Sequence, residues 1–358
     1  MYIAHIQVIW KKLFKASSSN HGTFGHFCTL LGRLPNAKVP KKDMNACTDA
    51  LFTVLKGHYV ACACSLLEIT SPSDTPQNFP TLKSKEDKLK CVAELSRQVV
   101  NQCSIIGEAL LQQPIVQPND AAYAYARVFC HFASLSLEFK DAWSEGDGER
   151  ILCCWRVFLL HFRSSGQTKY AWEALRMQFQ MSTLPPSLSH HLKWGRFINT
   201  HGGPGRNIPC DLFNEHMNKL FKEIINNMGP NMTEKAIERA ARSVTALCHI
   251  RDQFDKESNV PVATTAHATK GEEDVTKVVS VLLKNKTLSI IPGRKLSQFK
   301  KISMNPLSTL KWAEMKSWIL RKKKEVVSYR CAVGEGNMSD SVATDCSDSD
   351  TDSDSDSD

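Results

Sequence analysis

The chain has 358 residues, 42% of them hydrophobic, and a formal charge of +8 at pH 7; this is enough apolar material for one large core or two smaller ones, and it places the chain among globular proteins. All nine acids beyond position 334 lie in a segment without Lys or Arg, so the first 334 residues carry 45 basic against 28 acidic side chains, a charge of +17. That balance favours anionic partners: DNA or RNA, an acidic protein, or the chain's own tail. Thirteen cysteines without even spacing, the closest pairs being Cys62/Cys64 and Cys153/Cys154, exclude a disulfide framework and a C-x-x-C zinc ribbon and point to a reducing compartment. Met1 to Phe14 lacks the basic start and small-residue cleavage site of a signal peptide, and the longest uncharged apolar run, Tyr59 to Leu67, is too short to span a bilayer. The expectation is a soluble intracellular protein, in the nucleus rather than the cytoplasm.

Ile3, Ile6, Ile9, Trp10, Leu13 and Phe14 recur at helical spacing, with His5, Gln7, Lys11 and Lys12 as the polar positions of an amphipathic helix. After a loop, Asp43 to Ile69 predicts a long helix, closed by the three prolines of Ser71 to Pro80. Lys85 to Gln112 predicts another, with Leu89, Val92, Leu95, Val99, Cys103 and Ile106 towards the core. Asn119 or Asp120 then caps a helix over Ala121 to Trp143. Ile151 to Phe162 is apolar nearly all round, the pattern of a central buried helix. Tyr170 to Met181, Ser187 to Ile198, Asp211 to Asn227 and Thr233 to Phe254 continue the series, the last with a capping box of Asn231 and Glu234.

A small, polar stretch from Ser258 leads to a short helix, Glu272 to Leu283. Lys284 to Lys324 follows, with twelve Lys and Arg against the single acid Glu314, and it ends in an amphipathic helix carrying Trp312, Met315, Trp318 and Ile319. Beyond Val333 the Ser/Asp repeat is too charged and too poor in apolar groups to offset its ordering entropy. The fold class expected is mainly α: a multi-helix globular domain over residues 1–257, a linker and basic C-terminal helical extension of it over 258–333, and a disordered acidic tail over 334–358.

Three carboxylates are candidates for chemistry. Asp211 and Glu215, four apart, share one face of a helix and can hold a hard metal ion through oxygen, with Asn218 a turn further on. Asp147 sits between two glycines, and together the three are the cluster a nuclease using Mg²⁺ or Mn²⁺ would need. The bland readings are helix capping for Asp147 and Asp211, and ion pairing with Lys219 or Lys222 for Glu215. The loop His201-Gly-Gly-Pro-Gly-Arg206 lacks the Gly-Lys-Ser/Thr ending of a P-loop and follows no predicted strand. His201 and Arg206 can still present donors to a phosphate, although a sharp turn alone accounts for the glycines. Arg321, Lys322, Lys323 and Lys324 can contact nucleic acid or act as a nuclear import signal, or simply form a solvated helix face. Ser347, Ser349, Thr351 and Ser353, each beside Asp, suit acidophilic kinases, and the tail can fold back on the basic segment or meet a basic partner.

Four stretches carry a resemblance: Asp141-Ala-Trp-Ser-Glu-Gly-Asp-Gly-Glu-Arg150, Trp194-Gly-Arg-Phe-Ile-Asn-Thr-His-Gly-Gly-Pro-Gly-Arg-Asn-Ile-Pro-Cys-Asp211, Glu215-His-Met-Asn218 and Thr233-Glu-Lys-Ala236. In these the chain resembles a family known mainly as a domain of unknown function, with the character of mobile-element or transposase-derived proteins. The resemblance runs from about His5 to Lys324, including Pro292-Gly-Arg294. Longer members carry a Gly-Asp-Gln-Leu-Thr type motif upstream, the natural place for the first acid of a nuclease centre, and no such motif stands in this sequence. Descent from a carboxylate-triad transposase would make Glu215 the last acid. The resemblance therefore implies a degenerate transposase-like protein that keeps nucleic-acid association without catalysis. A helical protein-interaction scaffold with a phosphorylatable tail and a complete metal-dependent nuclease are the two alternatives.

Overall fold

The structure is a computed structural model that describes residues 1–15, 20–33, 44–76, 84–103, 105, 119–199, 202–257, 271–300 and 302–335. Its helices are α1 (Tyr2–Leu13), α2 (Phe24–Leu30), α3 (Met44–Leu66), α4 (Lys85–Cys103), α5 (Ala121–Glu145), α6 (Gly148–Ser164), α7 (Thr168–Thr183), α8 (Pro186–Trp194), α9 (Cys210–Asn227), α10 (Glu234–Glu257), α11 (Gly271–Lys284) and α12 (Trp312–Glu335). A two-residue strand pair, β1 (Phe197–Ile198) and β2 (Ile208–Pro209), runs antiparallel between α8 and α9. The mainly α class is as expected. The chain forms two compact units, Met1–Leu310 and Lys311–Asp358.

In the first unit α1 is the central element, packed against α5 and α6. Burial reaches further round α1 than its apolar stripe: His5 is fully buried beside Ile6, Val8 and Ile9, whereas Ile3 is 51% exposed. The Tyr125 hydroxyl joins the two ends of the loop after α1, donating to the Leu13 carbonyl (2.5 Å) and accepting from the Phe24 amide (3.0 Å). It thereby satisfies one orphan backbone group at the end of α1 and one at the start of α2. Phe24 packs edge-on to Trp10 and tilted on Phe129, which ties α1, α2 and α5 through aromatic rings.

Residues 271–310 belong to this same unit. α11 lies along α3 so closely that a Cβ on Gly57 would come within 2.3 Å of Val278 Cγ1, so only glycine fits there. Arg33 clamps the pair, reaching Asp49 of α3 at 2.5 Å and Asp274 of α11 at 2.6 Å.

Several expectations need correction. The stripe on α4 is largely solvent-facing: Leu89 and Val92 are each 61% exposed, and Val99 and Cys103 are its buried residues. α6 is not buried all round: Cys153 and Arg156 are exposed, although the helix packs against α1, α5, α7 and α8. Phe197 and Ile198 leave the helix expected there and enter β1. Asn231 closes a 3₁₀ turn, Gly229–Asn231, and the residue that caps α10 is Thr233, whose hydroxyl accepts from the Ala236 amide at 3.3 Å.

In the second unit the described part is α12. Met315 and Trp318 are buried, while Lys316, Arg321, Lys323 and Lys324 are exposed. The Ser/Asp tail, with Ser347, Ser349, Thr351 and Ser353, lies outside the described residues, as does His201.

Candidate functional site

The glycine-rich loop is the tip of a hairpin rather than a cradle at a helix start. Phe197 pairs with Pro209 and Ile198 with Ile208, and the turn uses left-handed backbone at Gly202, Gly203 and Gly205 (φ 69°, 83° and 69°). Asn207 docks the hairpin on the C-terminal end of α5: its amide and its Nδ2 both donate to the Ser144 carbonyl at 3.0 Å. A helix's last carbonyls lack intrahelical donors, so Asn207 supplies what the end of α5 needs. The α5 to α6 turn is equally constrained. Gly146 is the left-handed C-cap of α5 (φ 73°), and a Cβ on Gly148 would lie 2.4 Å from the Lys193 carbonyl oxygen of α8. The two longest sequence motifs thus meet, and much of their residue choice answers to this junction.

Asp147 belongs to that junction. Its Oδ1 accepts the amides of Glu149 (3.0 Å) and Arg150 (3.1 Å), making it the N-cap of α6. Arg150 in turn reaches Glu138 and Asp141 of α5, each at 2.7 Å, and Lys193 pairs with Glu149.

Asp211 and Glu215 lie elsewhere, on the wall of a cleft of about 930 Å³ formed by the start of α1, α5, α6, α7, the hairpin and α9. Six aromatic side chains, Tyr2, Phe139, Trp143, Trp155, Tyr170 and Phe197, line it along with aliphatic residues and Arg196. Both carboxylates are exposed on one face of α9, as their spacing requires. The capping role expected for Asp211 is not realised. α9 begins one residue earlier, with Pro209 in the cap position and no side-chain cap, and Asp211 sits in the first turn where its charge favours the helix dipole. Among the described residues no ion pair joins Glu215 to Lys219 or Lys222. Asp147 does not line the cleft, and among the described residues no three His, Cys, Asp or Glu side chains stand so that they could hold a metal ion.

Sequence reasoning did not nominate Arg196. Its guanidinium lies 5.1 Å over the Trp155 ring, donates to the Leu192 carbonyl at 2.7 Å and approaches Met177 Sδ at 3.4 Å. Burial pushes this group down from its ordinary value, against the raising effect of the Asp211 charge. Its place in Trp194-Gly-Arg196, next to the hairpin, was the available signal. Arg206 is exposed on the hairpin loop, and strand β2 intervenes between it and the start of α9.

A second polar cluster lies in the core. Ser136 Oγ donates to the Phe132 carbonyl (3.1 Å), so it accepts from His5 Nδ1 (3.0 Å). His5 Nε2 then accepts from His161 Nδ1 (3.3 Å), and His161 Nε2 accepts from His131 Nε2 (3.2 Å). One set of neutral tautomers satisfies the whole row. Burial, with the neighbouring His131 and Lys12 among the further causes, pushes His5 and His161 well below the ordinary histidine value; burial alone lowers His131 to about 4.

Residues 1–267 match a family of unknown function, DUF6589. The chain belongs to that family. No curated protein and no solved structure compared with the chain matches it. The DUF6589 match covers α1 to α10, and with them the hairpin junction, the cleft and the histidine row; α11 and α12 follow it in the sequence. It ends at residue 267, short of the Lys324 to which the sequence resemblance was expected to run. Among the described residues no helix is long and apolar enough to cross a membrane.

Proposed function

We propose that this DUF6589 protein is a transposase-like, mobile-element-derived protein that associates with nucleic acid through its basic surface and does not cut it. The observation that carries the reading is on α12. Lys316, Arg321, Lys323 and Lys324 are exposed while Met315 and Trp318 are buried, and Lys322 pairs with Glu325 at 2.7 Å. Exposed cations along one helix can neutralise successive phosphates without reading bases. Supporting the non-catalytic half of the proposal, Asp147 accepts two amides at Oδ1 as the cap of α6 and does not line the cleft that Asp211 and Glu215 line. The same basic segment suits nuclear import, and the Ser/Asp tail is the phosphorylatable element that competes for it.

The test is binding of the full chain to mixed-sequence duplex DNA over a range of salt. Affinity is expected to fall steeply as salt rises, and replacing Arg321, Lys323 and Lys324 together by Gln is expected to flatten the log–log slope by about 0.9 for each phosphate that is no longer neutralised. Affinity indifferent to salt overturns the nucleic-acid reading and leaves the interaction scaffold. Mg²⁺- or Mn²⁺-dependent cleavage that disappears in Glu215→Gln overturns the non-catalytic one.

A further inference from the structure

No residue of α12 lines the aromatic cleft, so the cleft has no part in binding phosphates through that helix. It holds about 930 Å³, at the upper end of the roughly 300–1,000 Å³ of small-molecule sites. Its rings are fixed by packing. Tyr2 stacks on Phe139 with centroids 5.9 Å apart and meets Trp143 edge-on at 5.2 Å, and Phe139 meets Trp143 edge-on at 5.6 Å. The Tyr2 hydroxyl points its proton to Thr48 Oγ1 at 3.5 Å, a residue outside the cleft, and Tyr170 packs on Phe162 at 5.6 Å. The wall already holds one cation against a ring: the Arg196 guanidinium, 5.1 Å over Trp155.

The charges of the wall are unevenly matched. Asp211 acts on Arg196 and on the Met1 amino group, both of which line the same cleft. Glu215, one turn further along α9, has no ion-pair partner among the described residues. The faces of aromatic rings carry negative potential, so rings beside an unanswered carboxylate favour a positive guest and oppose a phosphate. Hydration decides which cation. A bare ammonium is strongly hydrated and needs hydrogen-bond acceptors that rings do not offer, and among the described residues no three His, Cys, Asp or Glu side chains could hold a metal ion. A methylated ammonium presents its charge through methyl groups that pack on rings.

We propose that this cleft is a binding site for a methylated ammonium ion, its head among the aromatic side chains, Glu215 its counter-charge, and the chain that bears it filling the remaining volume. Two sources share that chemistry: a free small cation of the choline type, and the trimethylated lysine of a protein.

The experiment titrates the full chain by calorimetry with choline and, separately, with a short peptide carrying trimethyl-lysine. Saturable one-to-one binding of either is expected, and the tighter of the two names the source. The uncharged isostere of choline, with tert-butyl in place of trimethylammonium, and the peptide with unmodified lysine are each expected to bind about ten-fold more weakly or worse. Glu215→Gln and Tyr170→Leu change exposed positions, so the fold is kept, and each is expected to weaken binding by about two- to five-fold. Glu223→Gln, an exposed acid of the same helix outside the cleft, leaves it unchanged. No saturable binding of choline or of the peptide, equal binding of the neutral isostere, or unchanged affinity in either Glu215→Gln or Tyr170→Leu overturns the proposal. DNA binding through α12 stands or falls separately, on its salt dependence.

Discussion

Arg294 grips the buried carboxylate of Asp120 from 174 residues further along the chain: Nε lies 3.0 Å from both carboxylate oxygens and Nη2 2.5 Å from Oδ2. The same carboxylate caps α5 through the Ala122 and Tyr123 amides and takes the Ile291 amide at 2.8 Å. Arg294 also donates to the carbonyls of Asn285, Lys286 and Ser289, just beyond α11. One ion pair therefore binds the start of α5 to the segment that follows the family match.

Removing the guanidinium leaves a buried charge with only amide donors. Arg294→Ala is expected to cost about 3–5 kcal/mol, and Arg294→Lys to recover part of that because an ammonium lacks the planar fork. Urea denaturation of the three proteins decides it; an alanine variant within about 0.5 kcal/mol of the parent, the ordinary range for surface changes, removes the pair from any structural role. Burial raises the Asp120 carboxyl, but Arg294 and the backbone amides outweigh it and its pKa is lowered overall. A depressed carboxyl contributes stability that is present above its unfolded pKa and lost as pH falls through the folded one.

The histidines act with the opposite charge and the same direction in pH. His5 and His161 are held well below 6.5 by burial first, and burial likewise brings His58 and His131 to about 4. The unfolded chain takes up protons at these positions from pH 6.5 downward while the folded chain does not, so stability falls with pH below 6.5 and continues to fall towards 4. Each histidine contributes about 1 kcal/mol of loss by pH 5.5, from the 1.36 kcal/mol per pH unit of linkage. Chemical denaturation from pH 7.5 to 4.5 measures it. A flat profile between 6.5 and 5 contradicts the neutral row.

What the sequence made legible follows from where its signals are local. Helix class, the length of α3 and the caps Asp120 and Asp147 were readable, because 3.6-residue periodicity and an aspartate before an apolar run act within one turn. The hairpin was not, since strands of two residues have no period to detect. Thr233 was passed over for Asn231 because the intervening 3₁₀ turn shifts the helix start. The stripe on α4 was real as a pattern, but periodicity names a face and not a partner, and among the described residues none covers Leu89 and Val92. His5 read as polar surface because its partners stand 131 and 156 residues away. The cleft combines side chains of α1, α5, α6, α7, the hairpin and α9, and no local pattern announces such a meeting.

Gly148 provides a test of the junction between the two long motifs. A methyl group there would stand 2.4 Å from the Lys193 carbonyl oxygen, closer than any real Cβ contact, so α8 has to move away from α6. Gly148→Ala is expected to destabilise by about 1–3 kcal/mol through overpacking, whereas Gly148→Ala in an ordinary helical first turn would stabilise slightly. The sign of the change, read from thermal or urea unfolding, decides between a required close approach and an incidental glycine.

Asp147 was a candidate catalytic acid, and its geometry assigns it to capping. Two amides converge on its Oδ1, at 3.0 and 3.1 Å, and no other side chain is needed to explain the residue. Asp147→Ala is expected to lose about 1–2 kcal/mol, and Asp147→Ser, which keeps an acceptor at the cap, to lose only a fraction of that. Neither substitution should alter the salt dependence of DNA binding. A catalytic acid would behave differently: serine would be as damaging as alanine to any metal-dependent turnover, and stability would track neither. Unfolding free energies beside a cleavage assay for the two variants separate these roles, and equal loss of stability in both would set aside the cap.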